Sequence, residues 1–226
     1  MSVRRAARVL AVLALLLAAL PAAARAATLA PLKGCYVSVS ESDREAVDVV
    51  GSGFTPGAIV DIALDGAVQR TVAADAAGAL PPQVLTAPYQ PRRQRAFSVT
   101  AAERGNPANA VTLSSNVTAL NLGIQPRRAR PSRRVTFRGR GFTGPGRVYA
   151  HYLYNGRLRR TVTLKRSPRA PCGSFTAKRK QIPVKRPRTG TWTLQVDQQK
   201  RYSRAPASVF VRVSIRVERV FKLRPR

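Results

Sequence analysis

Apolar and polar residues alternate along most of this chain, in short runs separated by turn residues. The stretch "VDIALDG" sets Val60, Ile62 and Leu64 against Asp61, Ala63 and Asp65, and closes on Asp65-Gly66. That dipeptide favours a tight hairpin because both positions tolerate positive φ. The stretch "AHYLYNG" repeats the design, with Ala150, Tyr152 and Tyr154 on the matching face and Asn155-Gly156 at the turn. Towards the C-terminal end, Val213, Ile215, Val217 and Phe221 alternate with Arg212, Ser214, Arg216 and Glu218. A period of two is the mark of a strand with one buried face. After residue 26 no segment sustains a helical period for three turns, and the 17 prolines fall mainly between the strand-like runs. The expectation is an all-β chain of sandwich domains, each with about seven short strands.

The pattern repeats as a whole. Gly51, Gly53, Phe54 and Thr55 match Gly139, Gly141, Phe142 and Thr143 at an offset of 88, and Asp65-Gly66 matches Asn155-Gly156 at an offset of 90. Arg70-Thr71-Val72 then faces Arg160-Thr161-Val162, Gly78 faces Gly173, and Phe97 faces Trp192. Landmarks that keep their order this far indicate duplication of a domain. The division reads as 1–26, 27–118 and 119–226. "LNLGI" opens the second domain, with Leu122 to Ile124 placed opposite Tyr36 to Val39; the rival assignment makes it the last strand of the first. Little chain remains for a linker, so the domains should lie end to end.

The glycines of "GSGFTPG" and "GRGFTGPG" raise the question of a phosphate loop. A dinucleotide fingerprint needs a helix directly after its glycines, and here a β-period segment follows. Gly51, Gly53, Gly57, Gly139, Gly141 and Gly146 are therefore read as turn residues, with Phe54 and Phe142 pointing inward to plug one end of each sandwich.

These hairpins resemble those of bacterial immunoglobulin-like modules from secreted and surface proteins, including the IPT/TIG-like and neocarzinostatin-like sandwiches. Gly51, Gly53, Phe54, Pro56, Gly57, Val60, Ile62, Asp65 and Gly66 fit that pattern. Gly139, Gly141, Phe142, Pro145, Gly146, Val148 and Gly156 fit it less closely. The resemblance implies an immunoglobulin-like fold and a spacer, adhesive or binding role.

The first residues bear on location. Arg4, Arg5 and Arg8 precede an apolar run from Val9 to Leu20, which leads to Pro21 and the small residues before Ala26. This is the layout of a secretory signal peptide cleaved after Ala26, with an apolar run too short to span a bilayer. The mature protein is expected to be secreted or associated with the cell envelope.

Charge separates the halves. Residues 27–118 carry seven Lys or Arg and eight Asp or Glu, a net of −1, whereas 119–226 carry 29 Lys or Arg and only Asp197 and Glu218, a net of +27. The candidate contact residues form clusters: Arg127, Arg128, Arg130, Arg133 and Arg134; Arg157, Arg159 and Arg160; Lys178, Arg179 and Lys180; Lys185, Arg186 and Arg188; and the tail Lys222 to Arg226. So dense a charge repels itself and calls for a polyanionic partner. For an exported chain that partner is an acidic envelope polymer or an anionic membrane surface. Nucleic acid is the alternative, although no recognition helix, zinc pattern or RNA-binding aromatic signature accompanies the charge. A basic surface that is merely solvated is the plainest reading. Tyr149, Tyr152, Tyr154 and Trp192 are candidates for a stacking platform, but alternation directs some of them to the core.

No cofactor or metal is expected, and the chain reads as non-catalytic. His151, Cys172 and Asp197 contain the residue types of a hydrolase triad, yet they fall in separate segments, and alternation puts His151 on the solvent-leaning face with Asp61. Asp43, Asp48, Asp61, Asp65 and Asp75 lack calcium-loop spacing. The only cysteines, Cys35 and Cys172, have no cysteine at their repeat counterparts, near Gly123 and Ala77. A bond between them would cross the domain join, so two free thiols are expected.

Overall fold

The computed structural model describes residues 26–218. The expected signal peptide lies outside these residues but for Ala26, as do Phe221 and the basic tail. The described chain is all-β, with sixteen strands and no helix. Nine strands precede Leu120: β1 (Thr28–Leu29), β2 (Tyr36–Ser38), β3 (Ala46–Val49), β4 (Gly51–Ser52), β5 (Ile59–Leu64), β6 (Ala67–Ala73), β7 (Gln83–Thr86), β8 (Gln94–Glu103) and β9 (Asn106–Ala119). Seven follow: β10 (Asn121–Gln125), β11 (Arg134–Arg140), β12 (Val148–Tyr154), β13 (Arg157–Lys165), β14 (Phe175–Lys180), β15 (Gly190–Asp197) and β16 (Val211–Val217).

Strand order repeats between the halves. The first holds a five-stranded sheet, β2-β9-β8-β5-β6, with the pairs β1-β4 and β3-β7; the second holds β13-β12-β15-β16 and β10-β11-β14. Two hydrophobic clusters result, one built on Val47, Phe54, Ile62 and Val99 and the other on Phe137, Phe142, Tyr152 and Leu194. In the second, Phe137 and Ala177 from one sheet meet Tyr152, Leu194 and Val196 from the other. The polar residues between them face outward because side chains alternate along a strand.

Both copies build the same corners. Asp65 and Asn155 sit at φ 49° and 50°, the left-handed turn geometry that these residue types tolerate best. Phe54 and Phe142 are 3% and 1% exposed. Each donates its backbone N–H to a glycine carbonyl, Gly78 at 3.1 Å and Gly173 at 3.3 Å. Both glycines have positive φ, and a Cβ at either would collide with the backbone carbonyl of the phenylalanine. Gly173→Ala is therefore expected to cost about 1–3 kcal/mol in a denaturant melt, and a melt matching the parent would show that the corner yields freely.

Two sequence correspondences need correction. Leu64 pairs with Val99 and Tyr154 with Trp192, so Val99, not Phe97, occupies the place of Trp192. A two-residue slip keeps a side chain on the same face, and alternation therefore does not register it. Likewise Leu29 pairs with Gly51 and Leu122 with Gly139, which makes β1, not Tyr36 to Val39, the counterpart of β10. Strand β2 is an addition in the first half, running parallel to the end of β9.

The largest correction concerns the cysteines, which form a disulfide with Cα atoms 5.2 Å apart. Neither element folds back to reach the other. Pairing of β2 with Val117 to Ala119 carries Cys35 to the exit of the first half. Cys172 stands at the entrance of the second, where its carbonyl accepts the Gly141 N–H at 3.0 Å and Gly141 lies against Leu120. A turn in the middle of the sequence of one half thus lies at the spatial seam.

Candidate polyanion-contact surface

Strand β11 reads RVTFRGR, with Val135 and Phe137 buried and Arg134, Arg138 and Arg140 exposed. Its neighbour β14 buries Phe175 and Ala177 and exposes Thr176, Lys178 and Lys180. Antiparallel register sets Arg134 beside Lys180, Thr136 beside Lys178 and Arg138 beside Thr176. Residues directly opposite across a ladder share a face, so Arg134, Arg138, Arg140, Lys178 and Lys180 form one cationic outer face. Like charges in this arrangement repel and lower stability, which leaves the face primed for an anion.

No carboxylate neutralises it among the described residues. The ion pairs Lys33–Glu45, Arg95–Asp65 and Arg104–Asp61, at 2.9, 2.8 and 2.7 Å, all lie in the first half. Asp61 is thereby held below the usual carboxylate range, first by the Arg104 hydrogen bond and then by that of Thr71.

The other predicted cations fall in distinct places. Arg127, Arg128, Arg130 and Arg133 are exposed in the connection between β10 and β11. Hydrogen bonds from Gln181 N to Arg133 O (2.9 Å) and Ile182 N to Pro131 O (3.0 Å) bring that connection to the end of β14. The connection after β14 carries Lys185, Arg186 and Arg188, also exposed. Arg157, Arg159 and Arg160 lie on β13 of the other sheet and are exposed there. Arg179 turns away from the cationic face: its Nε and Nη2 donate to the carbonyls of Thr163 and Leu164 on β13, at 3.3 and 3.4 Å. Arg138 and Arg140 escape a search for basic runs because apolar or small residues separate them; the alternation of β11 is the signal that identifies them.

The aromatic platform does not form. Tyr152 and Trp192 are fully buried and Tyr154 packs on Trp192 with ring centroids 5.2 Å apart. Burial pushes the Tyr152 phenol well above its ordinary range, against the opposing charge of Arg179.

His151 is likewise not solvent-leaning but completely buried. Its Nε2 lies 3.2 Å from Asp197 Oδ1 and 3.1 Å from the Gln199 carbonyl, while Nδ1 lies 2.9 Å from Thr161 Oγ1. The cover comes from residues 198–210 between β15 and β16, whose Tyr202 ring centroid sits 5.8 Å from that of His151. In the first half only Arg104 and Gly105 separate β8 from β9, so at the equivalent place Arg104 stays exposed and Asp61 is only partly covered. The possible triad also dissolves, because the Cys172 sulfur is bonded to Cys35 and is no free nucleophile.

No protein family matches the chain, and no curated protein matches it. Among solved structures, the β-glucuronidase of Parabacteroides merdae with glycerol in its active site gives a TM-score of 0.28 at 9% identity, over 83% of this chain and 24% of that one. The apo structure of Bacteroides uniformis β-glucuronidase 3 gives 0.27 at 8% identity, over 87% and 25%. The chain thus spans about a quarter of the length of those structures, and superpositions of this quality define neither a shared fold nor a shared activity.

Proposed function

We propose that this chain is a non-catalytic, extracytoplasmic binding protein made of two tandem immunoglobulin-like β-sandwiches. The first domain is a neutral support, and the basic second domain contacts an anionic envelope polymer or the headgroups of an anionic membrane. The observation that carries the reading is the outer face of β10-β11-β14, where Arg134, Lys178 and Lys180 stand in adjacent register without a neutralising carboxylate among the described residues. The repeated strand order and the separate hydrophobic clusters support the tandem description. Contacts of this kind release counterions, so affinity falls linearly on a log scale with salt.

The test is binding of the full disulfide-bonded chain to poly(glycerol phosphate), phosphatidylglycerol vesicles and duplex DNA across a salt series. The triple variant Arg134→Glu, Lys178→Glu, Lys180→Glu is expected to bind the polymer or the vesicles at least about tenfold more weakly, with a salt slope shallower by about 2–3. An equal loss from Arg70→Glu with Arg93→Glu in the first half would remove the division between domains. Preference for DNA at moderate salt would replace the envelope partner with nucleic acid.

A further inference from the structure

Where the two halves meet, an open cleft of about 610 Å³ is lined by Arg92, Arg138, Arg140, Lys165 and Arg169, with no carboxylate in its lining. Its cations come from three separate segments. Arg138 and Arg140 project from β11, Lys165 and Arg169 come from the end of β13 and the connection that follows, and Arg92 belongs to the bend before β8 in the first half. The connection is closed by a two-way backbone bridge: Arg169 N donates to Ser174 O at 2.7 Å and Ser174 N to Arg169 O at 3.1 Å. Arg140 Nη1 donates to the Arg92 carbonyl at 3.2 Å and so ties one wall to the other. The disulfide stands at the same seam, its Cys172 between Arg169 and Ser174 in the chain. These constraints fix the backbone segments that carry the cations before any ligand arrives, which lowers the part of the ordering cost of binding that comes from the main chain.

The floor is open at Gly123. This residue lies on the outward side of β10 opposite Arg138, and a Cβ placed there would meet only the Arg138 carbonyl oxygen, at 3.8 Å. Its φ does not lie in the left-handed region, so a larger residue there meets no backbone strain and projects into the cleft.

The geometry points to a site for a compact, multiply charged phosphate group, either a free oligophosphate or a phosphate at the end of a larger molecule. The volume suits a small ligand and not a long polymer track. Four guanidinium groups and one ammonium in a single lining suit phosphate oxygens, which accept paired N–H donors and carry more charge than a single carboxylate. The serine and threonine hydroxyls of Ser174 and Thr176, also in the lining, add neutral donors. The site goes beyond the polymer contact proposed above, because its ligand is compact and the first half supplies Arg92.

Gly123→Trp tests this without changing charge. Inorganic tripolyphosphate titrated calorimetrically into the full disulfide-bonded chain should bind at one site, and Gly123→Trp should weaken that binding at least about tenfold while the melt stays near the parent's. Arg92→Ser, on an exposed bend of the first half and outside the polymer face, should weaken it severalfold while poly(glycerol phosphate) binding stays near the parent's, and it serves if the tryptophan variant fails to fold. Competition by short-chain phosphatidic acid, a terminal phosphomonoester, as strong as by tripolyphosphate would assign the phosphate to a headgroup; weaker competition would assign it to a free oligophosphate. Tripolyphosphate binding unchanged in both variants, or lost only in the Arg134→Glu, Lys178→Glu, Lys180→Glu protein, would overturn the site, as would equal affinity for sulfate.

Discussion

Replacing Cys35 and Cys172 together by serine is expected to cost about 2–5 kcal/mol and to split one unfolding transition into two. The bond closes a loop with a sequence separation of 137, for which chain entropy alone gives about 5 kcal/mol, an upper figure because unfolded chains keep residual structure. The split follows from the location of the bond. It joins two hydrophobic clusters that share no residue. What else crosses the seam is slight: Leu120 N to Ser38 O at 3.1 Å, Arg140 Nη1 to Arg92 O at 3.2 Å, and Lys33 Nζ to Thr143 Oγ1 at 3.4 Å. Calorimetry of the parent with and without reductant, beside the double serine variant, measures this directly. Superimposable single transitions would show that packing at the seam, and not the disulfide, couples the halves.

Asp197→Ala is expected to cost about 2–5 kcal/mol, because its removal leaves several buried polar partners unpaired at about 1–3 kcal/mol each. Asp197 is 0% exposed. It accepts from the Gln195 side chain at 2.9 Å and the Gln199 backbone at 2.8 Å, and lies 3.2 Å from His151. Truncation strands those partners in a site already covered by Tyr202. Burial works to raise the carboxyl's pKa, but the hydrogen bonds from His151, Gln195 and Gln199 together outweigh it and hold the group below its ordinary range. A depressed native pKa contributes stability that is present above the unfolded value of about 3.9 and is lost as pH falls through the native value. Parent stability should therefore drop on acidification below about pH 4, and Asp197→Asn should lack that component. Identical pH profiles for parent and Asn variant would refute the linkage. Asp61→Ala, at the equivalent but partly exposed site, should have a smaller effect, since water screens its pair with the exposed Arg104.

The contrast between Asp61 and His151 explains what could be read in advance. Both occupy the outward side of the same strand in their own copy, and alternation assigns both correctly to that side. Burial differs because residues 198–210 cover the sheet in one copy, and nothing in the pattern of β12 encodes the path of a segment some fifty residues further on. The cationic face was partly legible for a similar reason. Lys178 and Lys180 stand out in a basic run, whereas Arg138 and Arg140 join them only once β11 is laid beside β14. Arg92 enters the cleft from the other half and carries no local signal for it.

Strand character, the repeated hairpins and the division of charge were determined by the sequence itself, because each depends on neighbours a few residues apart. Alternation selects a half-buried strand, Asp65-Gly66 and Asn155-Gly156 select left-handed turns, and the sums of charge need no coordinates. The Cys35–Cys172 bond, the enclosure of His151 and the choice of Val99 as counterpart of Trp192 were decided only by tertiary structure. Each depends on which remote segments meet and in what register, and strand alternation is blind to a shift of two residues and to whatever packs over a face.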